Sequence, residues 1–365
     1  MIVGTVFFVA LLGGGVFMIY KFRHVRQFYH SLKMPAMPDG VKTARVVSGG
    51  DRFSKEVFYR EPDLGLITDI RQNKNHEVVI VGQHGAAFLT EDRTLSKKVR
   101  FDFEGCSSEV IPVELGSGSF LCRGSWNTDV TLLDSGGKTL WSYGGSSPGI
   151  DDATAGELGK DGLKGVVVGL NGGGGVRLLS SDGKELWKQE DGNVWHVEIV
   201  AGDEKSGNVV LHSNAGGELT VRDANGNIVG RYVPDIYLAN FSLSGWRDDL
   251  HLNKLVAVDE DFVYVMSMQG RTITHLRVPG NAGIAEPKGT PVHFSKNTPY
   301  YASLLRHYEW SRSLLYIYDE ENQLVYDEVL DHDCDALHAV PEKNGTEYLL
   351  LGCDGSVWKY SQAKK

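Results

Sequence analysis

The chain has 365 residues, a net charge of −10 at pH 7 and a pI near 5.7. An acidic surface repels the phosphate backbone, so nucleic acid is excluded as a partner. The 44 glycines point to a fold with many tight turns.

The first predicted element is a transmembrane helix within residues 1–20. The run from Ile2 to Tyr20 is uncharged and mostly apolar, and its 19 residues nearly span a hydrocarbon core of about 30 Å. A cleaved signal peptide is the alternative. Against it, no basic region precedes the run and no small-x-small cleavage site follows it. We therefore predict a single-pass anchor that contacts membrane lipid through residues 2–20.

Residues 21–54 are predicted to form a juxtamembrane helix and a linker. Apolar residues from Phe22 to Leu32 are spaced for one helical face, and Pro35 ends the helix. Four basic residues follow the span, so the positive-inside rule places the following domain in the cytoplasm, with the periplasm or a lumen as the alternative. These residues are Lys21, Arg23, Arg26 and Lys33.

The rest of the chain is organised around one repeating unit, seen most clearly from Gly165 to Glu190, GVVVGLNGGGGVRLLSSDGKELWKQE. The β-branched run Val166–Gly169 is a strand, and the glycines of Asn171–Gly175 can only form a turn. A second strand then leads to Asp182-Gly183, a strong hairpin signal, and to a third strand. Three strands alone leave both edges unpaired, so the unit needs neighbours.

The same pattern recurs along the chain. Its first turns lie near residues 84, 127, 173, 216, 260, 312 and 354, which gives a period of roughly 42 to 52 residues. Inner strands come from segments such as Trp195–Val200 and Ala336–Val340. Repeats of this length with four strands each are typical of a β-propeller. The predicted fold is therefore all-β, with seven blades over residues 55–361 and eight blades as the alternative count.

The last repeat lacks its outer strand. Lys55–Glu61, KEVFYRE, matches KELWKQE of the clearest repeat in pattern. We predict that residues 55–61 supply the missing strand, which closes the ring and removes its open edges.

These repeats resemble those of quinoprotein-like and FG-GAP (VCBS)-like propellers, and GVVVGLNGGGGVRLLSSDGKELW and TLLDSGGKTLW carry the resemblance. It implies blade architecture rather than chemistry. FG-GAP repeats often carry a D-x-D-x-D-G calcium loop, but Glu157–Lys164 lacks the alternating carboxylates that calcium needs. No adjacent cysteine pair, C-x-x-C-H haem motif or WD40 pattern is present. Calcium and a quinone are therefore not supported, and no cofactor is predicted.

Two clusters contain groups that could do chemistry. The segment Asp331–Asp335 with His338 holds metal-competent side chains, but strand alternation puts only His332, Cys334 and Ala336 on one face. A charged loop that leads into the last inner strand is the simpler interpretation. His196 and His212 flank a predicted hairpin, and we interpret them as packed or solvated histidines because no third catalytic partner is evident. No catalytic, cofactor-binding or metal-binding residue is assigned.

The four cysteines allow two arrangements. Cys106 with Cys122 and Cys334 with Cys353 lie on paired arms of hairpins, so two cross-strand disulfides fit and would indicate an oxidising compartment. Four buried reduced thiols fit equally well.

Two long irregular stretches, Gly144–Lys164 and Pro279–Thr298, are predicted to be loops on one rim, where propellers carry specificity. Candidate interface aromatics are Trp126, Trp195, Trp246 and Trp310. The sequence favours a membrane-tethered scaffold or accessory subunit that binds another protein of a membrane complex through a propeller rim. The alternative is a ligand-binding or quinone-dependent enzyme that uses the central pocket.

Overall fold

The computed structural model describes residues 46–47, 50–102, 109–123, 129–144, 149–238, 241–247, 253–259, 262–278, 286–296, 298–307, 312–330 and 332–363. The predicted anchor, Ile2–Tyr20, lies outside the described residues. Among the described residues we find no helix with the length and hydrophobicity of a membrane span. The helical structure found there is one 3-10 turn, Pro62–Leu64.

The described residues form a seven-bladed β-propeller, in which every blade contains a meander of four antiparallel strands. Blade 1 consists of β3 (Ile67–Gln72), β4 (Val78–Gly82), β5 (Gly85–Leu89) and β6 (Leu95–Arg100). Blade 2 consists of β7 (Glu109–Leu115), β8 (Gly118–Arg123), β9 (Val130–Asp134) and β10 (Thr139–Tyr143). Blade 3 consists of β11 (Ile150–Leu158), β12 (Leu163–Leu170), β13 (Gly175–Ser180) and β14 (Glu185–Gln189). Blades 4 and 5 are β15 (Val194–Ala201), β16 (Asn208–Asn214), β17 (Leu219–Arg222) and β18 (Ile228–Tyr232); and β19 (Ser242–Arg247), β20 (Asn253–Asp259), β21 (Phe262–Met266) and β22 (Thr272–Arg277). Blade 6 is β23 (Glu286–Ser295), β24 (Thr298–His307), β25 (Arg312–Tyr318), β26 (Leu324–Val329) and an added fifth strand, β1 (Val46–Val47); blade 7 is β27 (Cys334–Pro341), β28 (Glu347–Cys353), β29 (Ser356–Gln362) and β2 (Phe53–Arg60).

The predicted closure of the ring is confirmed. Strand β2 pairs antiparallel with β29, and Lys55 lies opposite Tyr360. Blade 7 therefore takes its outer strand from the N-terminal end of the domain, as the match between KEVFYRE and KELWKQE predicts.

A second contact ties this closing strand to blade 6. The Lys55 ammonium lies 2.5 Å from the Glu328 carboxylate, which also accepts hydrogen bonds from the hydroxyls of Tyr326 (2.7 Å) and Tyr360 (2.8 Å). The short strand β1 pairs with β26 of the same blade. The N-terminal segment thus reaches the ring at blade 6 and completes blade 7.

The apolar core lies between adjacent blades. Strand β4 is buried along its whole length, and its side chains alternate between two sides. Ile80 packs in a cluster with Leu350 of blade 7, and Val79 packs in a cluster with Phe120 of blade 2. Each blade therefore buries both faces, which explains the continuous apolar strands of the repeats.

Tryptophans of the outer strands lock two of the seams between blades. The indole nitrogen of Trp141 donates to the carbonyl of Ser181 (3.0 Å), and that of Trp187 donates to the carbonyl of Ala224 (3.0 Å), each in the next blade. Gly183 and Gly226 lie directly under these rings with φ of 80° and 82°. A side chain at either glycine would collide with the indole, so the Asp-Gly and Asn-Gly turns serve the seams as well as the hairpins.

The prediction that two long stretches form rim loops is wrong in part. Gly144–Lys164 contains β11 and the start of β12, and Pro279–Thr298 contains β23. Both β11 and β23 are innermost strands with polar side chains, so they lack the apolar alternation that marks a strand. Pro287 and Pro291 are tolerated in β23 because its inner edge has no strand to receive a hydrogen bond.

Candidate functional site

The centre of the ring is lined by the innermost strands of the seven blades, β3, β7, β11, β15, β19, β23 and β27. All of them begin on the same face of the ring, which we call the upper face, and end on the lower face. Charged side chains near the upper face contact one another from blade to blade. We call this set the channel belt; its members are Glu109, Arg123, Asp152, His196, Glu198, Lys288, Arg306, Asp333 and Asp335.

One half of the channel belt joins blades 2, 3 and 4. Arg123 lies 2.7 Å from Glu109 and 3.1 Å from Asp152. Asp152 in turn lies 2.6 Å from Nδ1 of His196 and accepts a hydrogen bond from the backbone of Val197 at 3.0 Å. The alternation of cation and carboxylate thus crosses two seams.

The other half joins blade 6 to blades 7 and 2. The Lys288 ammonium lies 2.9 Å from Asp335 of blade 7 and 3.3 Å from Glu109 of blade 2. Arg306 lies 3.0 Å from both Asp335 and Asp333. Since blades 6 and 2 are not neighbours, Lys288 bridges the channel itself.

The electrostatics of the channel belt follow from burial and pairing. Burial alone would raise the pKa of Glu109, but Arg123 and Lys288 outweigh it and lower the pKa to about 2. Burial alone would lower the pKa of His196, but Asp152 outweighs it and raises the pKa to about 10. His196 is therefore an imidazolium at neutral pH, packed edge-on against Phe241. Burial raises the pKa of Asp335 to about 7 against the attraction of Lys288.

His196 and His212 do not form a pair. The register sets His196 opposite Ser213 and His212 opposite Val197, and each histidine has its own carboxylate partner. His212 is buried, lies 3.1 Å from Asp191 and shares that carboxylate with Arg222. Burial lowers the pKa of His212. The interpretation as packed histidines holds, but the carboxylate partners, distant in sequence, were not foreseen.

The metal-competent segment at Asp331–Asp335 serves the channel belt and the core instead. Asp333 and Asp335 pair with Arg306, and Cys334 is disulfide-bonded to Cys353. Across the described ranges, no group of three metal-ligating side chains converges. Asp331 lies outside those ranges, and Cys334 opens the innermost strand of blade 7, as the simpler interpretation predicted.

Of the two arrangements left open for the cysteines, the disulfide between Cys334 and Cys353 is confirmed, and the arrangement of four reduced thiols is wrong. Cys122 is disulfide-bonded, while Cys106 lies outside the described residues. The bond between Cys334 and Cys353 joins directly opposed positions of β27 and β28.

Of the four candidate interface tryptophans, Trp195 has a described side chain; Trp126 and Trp310 lie outside the described residues. Trp195 is half-buried at the upper face. With the Asn193 amide turned to the orientation that satisfies both of its neighbours, the indole nitrogen of Trp195 donates to the Asn193 side-chain oxygen at 2.7 Å. The Asn193 amide nitrogen donates to Asp151 at 3.2 Å. Burial raises the pKa of Asp151 to about 6. The ring of Trp195 is thus held in one orientation at the start of β15.

The lower face carries a cleft of about 540 Å³ between blade 7 and blade 1. It is lined by hairpin turns of both blades, and Tyr348 and Val78 form part of its floor. The seam beside it differs from the tryptophan seams. Here Arg93 lies 5.0 Å from the ring centroid of Phe58 and 2.9 Å from Glu56, both on the closing strand β2.

Comparison with solved structures shows the propeller fold. A streptogramin B lyase matches with a TM-score of 0.58 at 13% identity, over 87% of this chain and 100% of that chain. BBS1N, solved in complex with ARL6DN, matches with a TM-score of 0.54 at 12% identity, over 84% of this chain and 96% of that chain. The WD40 domain of Neurospora crassa Pan2 matches with a TM-score of 0.52 at 11% identity, over 86% and 97%. Identities this low establish the fold alone. No family model and no curated protein sequence matches the chain.

Proposed function

We propose that this protein is a membrane-tethered scaffold that binds another protein of a membrane complex through a rim of its propeller. The observation that carries this proposal is the channel belt. Its cations and carboxylates pair with one another across blades, so the centre of the ring forms a rigid hub. The surfaces left for recognition are then the two rims.

The protonation state of His196 also favours a binding function over a catalytic one. A general base must be unprotonated at working pH. Asp152 holds the pKa of His196 near 10, so this imidazole is a fixed cation in the hub. Propellers with similar folds include BBS1N, whose structure contains a protein partner, ARL6DN.

The tether follows from the apolar run Ile2–Tyr20 together with the path of the chain that follows it. Strands β1 and β2 join the N-terminal segment directly to blades 6 and 7. The proposed anchor would therefore hold the ring by its closing strand, within about 30 residues of the bilayer.

The side of the membrane is a separate proposal. The basic residues after the apolar run favour a cytoplasmic propeller, whereas the bond between Cys334 and Cys353 favours an oxidising compartment. Cys334 and Cys353 are both buried, so the cells are first quenched with acid to trap free thiols, and the protein is then unfolded and alkylated with a maleimide, with and without prior reduction. Labelling of both cysteines without reduction supports the cytoplasm, and labelling only after reduction contradicts it.

The scaffold proposal is tested by affinity purification of the full chain in mild detergent. We expect at least one membrane-complex protein to co-purify in stoichiometric amount, and to remain bound in a variant without residues 2–20 if the rim alone is recognised. Recovery of the protein alone with a stoichiometric chromophore or metal would contradict the scaffold and support the alternative, a ligand-binding enzyme that uses the central channel.

A further inference from the structure

The outer strands of blades 2 to 6 share a feature near their start. In each of these blades the pairing between the third and fourth strands skips one residue of the fourth strand, which forms a β-bulge. The skipped residue is aliphatic in all five blades: Leu140, Leu186, Val229, Ile273 and Val325. Because the register makes these positions equivalent, their surroundings can be compared from blade to blade.

Blade 6 shows this position where the outer edge of the blade is covered. Its outer strand β26 pairs antiparallel with the added strand β1, which consists of Val46 and Val47. Val325 is 7% exposed there and belongs to the same buried cluster as Phe53 of the N-terminal segment. The ring thus accepts an extended, β-branched segment as the fifth strand of a blade.

The equivalent side chains of blades 2 to 5 are 41% to 52% exposed. This exposure accompanies a difference at the outer edge, because β10, β14, β18 and β22 are the last strands of their sheets among the described residues. An outermost strand presents backbone N–H and C=O groups that a further strand can bond. These four edges are therefore candidates for a fifth strand.

Blade 4 has the most apolar of these edges. Ile228, Val229 and Val233 are all exposed, and they lie on β18 or directly after it. Each of the strands β10, β14 and β22 exposes one large apolar side chain. The edge of blade 4 therefore offers more apolar surface to an added strand than the other three.

The charges along the edges also favour blade 4. Charged side chains protect edge strands against pairing, as Glu185 and Lys188 can on β14. The one charged residue of β18 is Arg231, which lies 3.5 Å from Asp191. Strand β10 has no charged residue, but it exposes only Leu140 as an apolar contact. The edge of β18 thus favours an apolar occupant over a charged one.

We propose that the outer edge of blade 4, formed by β18 and Val233, binds an extended apolar segment of the partner protein as a fifth strand. Strand β1 on blade 6 shows the mode, in which backbone hydrogen bonds join the strands and β-branched side chains cover the aliphatic residues. Occupancy of the edge should bury Val229 as Val325 is buried in blade 6. This inference rests on the proposed scaffold function and names the surface and the kind of partner.

The test measures binding of a fluorescein-labelled peptide with the sequence of residues 42–49, KTARVVSG, to the full chain in mild detergent, by fluorescence anisotropy. This peptide contains β1, whose side chains the ring already accepts on blade 6. One matched probe carries serine in place of both valines. A second probe keeps both valines but carries N-methyl groups on their amide nitrogens, which blocks backbone pairing on both of its edges. We expect each probe to bind about 10-fold more weakly than KTARVVSG.

Two variants of the chain locate the site. Val229→Lys places a charge on the proposed edge, and Ile273→Lys places the same charge at the equivalent position of blade 5 as the matched control. Both side chains are exposed, so both variants should melt like the wild type. Val229→Lys should weaken the peptide about 10-fold, whereas Ile273→Lys should bind it like the wild type. In hydrogen exchange, the peptide should protect amides of β18 and not those of β22.

Equal affinity for the three peptides, or equal binding by Val229→Lys and the wild type, would overturn the assignment of the edge. A dimer of the wild-type chain in light scattering that Val229→Lys dissociates would also overturn it, since the occupant would then be a second copy.

Affinity purification separates this inference from the proposed function. If Val229→Lys loses the peptide but still retains the partner, the edge is not the partner's docking site and the scaffold function stands. Loss of the partner in Val229→Lys but not in Ile273→Lys supports both. If the wild type binds the peptide but retains no partner at all, the scaffold function itself fails.

Discussion

Replacement of Lys288 tests whether the channel belt holds the propeller together. Lys288→Met keeps most of the apolar stem but removes the ammonium that lies 2.9 Å from Asp335 and 3.3 Å from Glu109. It also removes the donor to the backbone carbonyl of Asp335 at 2.5 Å. Two buried carboxylates in blades 7 and 2 would lose a shared partner.

The size of the effect follows from the burial of these groups. Loss of one member of a buried ion pair costs about 3–5 kcal/mol because the remaining charge is left without compensation. Each carboxylate keeps an arginine partner, Arg123 for Glu109 and Arg306 for Asp335. Asp335, whose pKa burial raises to about 7, is also only partly ionised at pH 7. Since the Lys288 side chain is 23% exposed as well, we expect the lower end, about 3 kcal/mol. For a domain of this size each kcal/mol shifts the melting temperature by roughly 2 °C. The variant should therefore melt about 6 °C below the wild type.

Thermal unfolding followed by near-UV circular dichroism at pH 7 measures this directly. Lys184→Met is the matched control, because Lys184 also pairs with a carboxylate, Asp182, but its side chain is 80% exposed. The control should melt like the wild type. If Lys288→Met melts within a degree of the wild type, the belt does not hold the blades together and the argument for a rigid hub fails.

Three further outcomes follow from single side chains. Burial raises the pKa of Asp335 to about 7 in the folded state, so the stability that its protonated form contributes is present below its unfolded pKa and is lost as pH rises to neutrality. The melting temperature of Asp335→Asn should therefore rise relative to that of the wild type between pH 4 and 7. Parallel melting profiles of the two proteins would contradict this. Burial lowers the pKa of His196, but Asp152 outweighs burial and raises the pKa to about 10. The stability that protonated His196 contributes is therefore complete below pH 6.5 and is lost as pH rises toward 10. Urea titrations at several pH values should show this loss in the wild type and not in His196→Gln. Trp187→Ala should lower the free energy of unfolding by about 3 kcal/mol, because it leaves a cavity at the seam of blades 3 and 4. Trp187→Phe should lower it by about 1 kcal/mol, because it removes only the hydrogen bond to Ala224. Equal losses for the two variants in urea denaturation would show that packing does not dominate the seam.

The propeller could be predicted from the sequence because residues that favour tight turns mark each hairpin. Asp182-Gly183 and Asn171–Gly175 fall at the predicted turns, and β12, β13 and β14 surround them as expected. The closing strand could be predicted because Lys55–Glu61 keeps the outer-strand pattern even though its partner lies about 300 residues away in the sequence.

The inner strands β11 and β23 were not predicted, because they lack the local sequence pattern that marks the other strands. In β11 and β23 the channel side is occupied by charged residues, such as Asp152 and Lys288, so the apolar signal that marks a strand is absent. Glycine and proline in β23 strengthened the impression of a loop, although an inner edge strand accepts them.

The channel belt could not be derived from spacing. Glu109 and Lys288 are 179 residues apart, and only the closed ring brings them together. His196 shows the same limit, since its partner Asp152 belongs to the preceding blade.

Hydrogen exchange at the closing strand tests the account most directly. The proposed tether and the ring both require that β2, Phe53–Arg60, be a permanent strand of blade 7. Mass spectrometry should find the amides of β2 that bond to β29 protected as strongly as those of β29 itself. Exchange of the whole segment within seconds, with β28 and β29 still protected, would show that the ring is not closed by this strand.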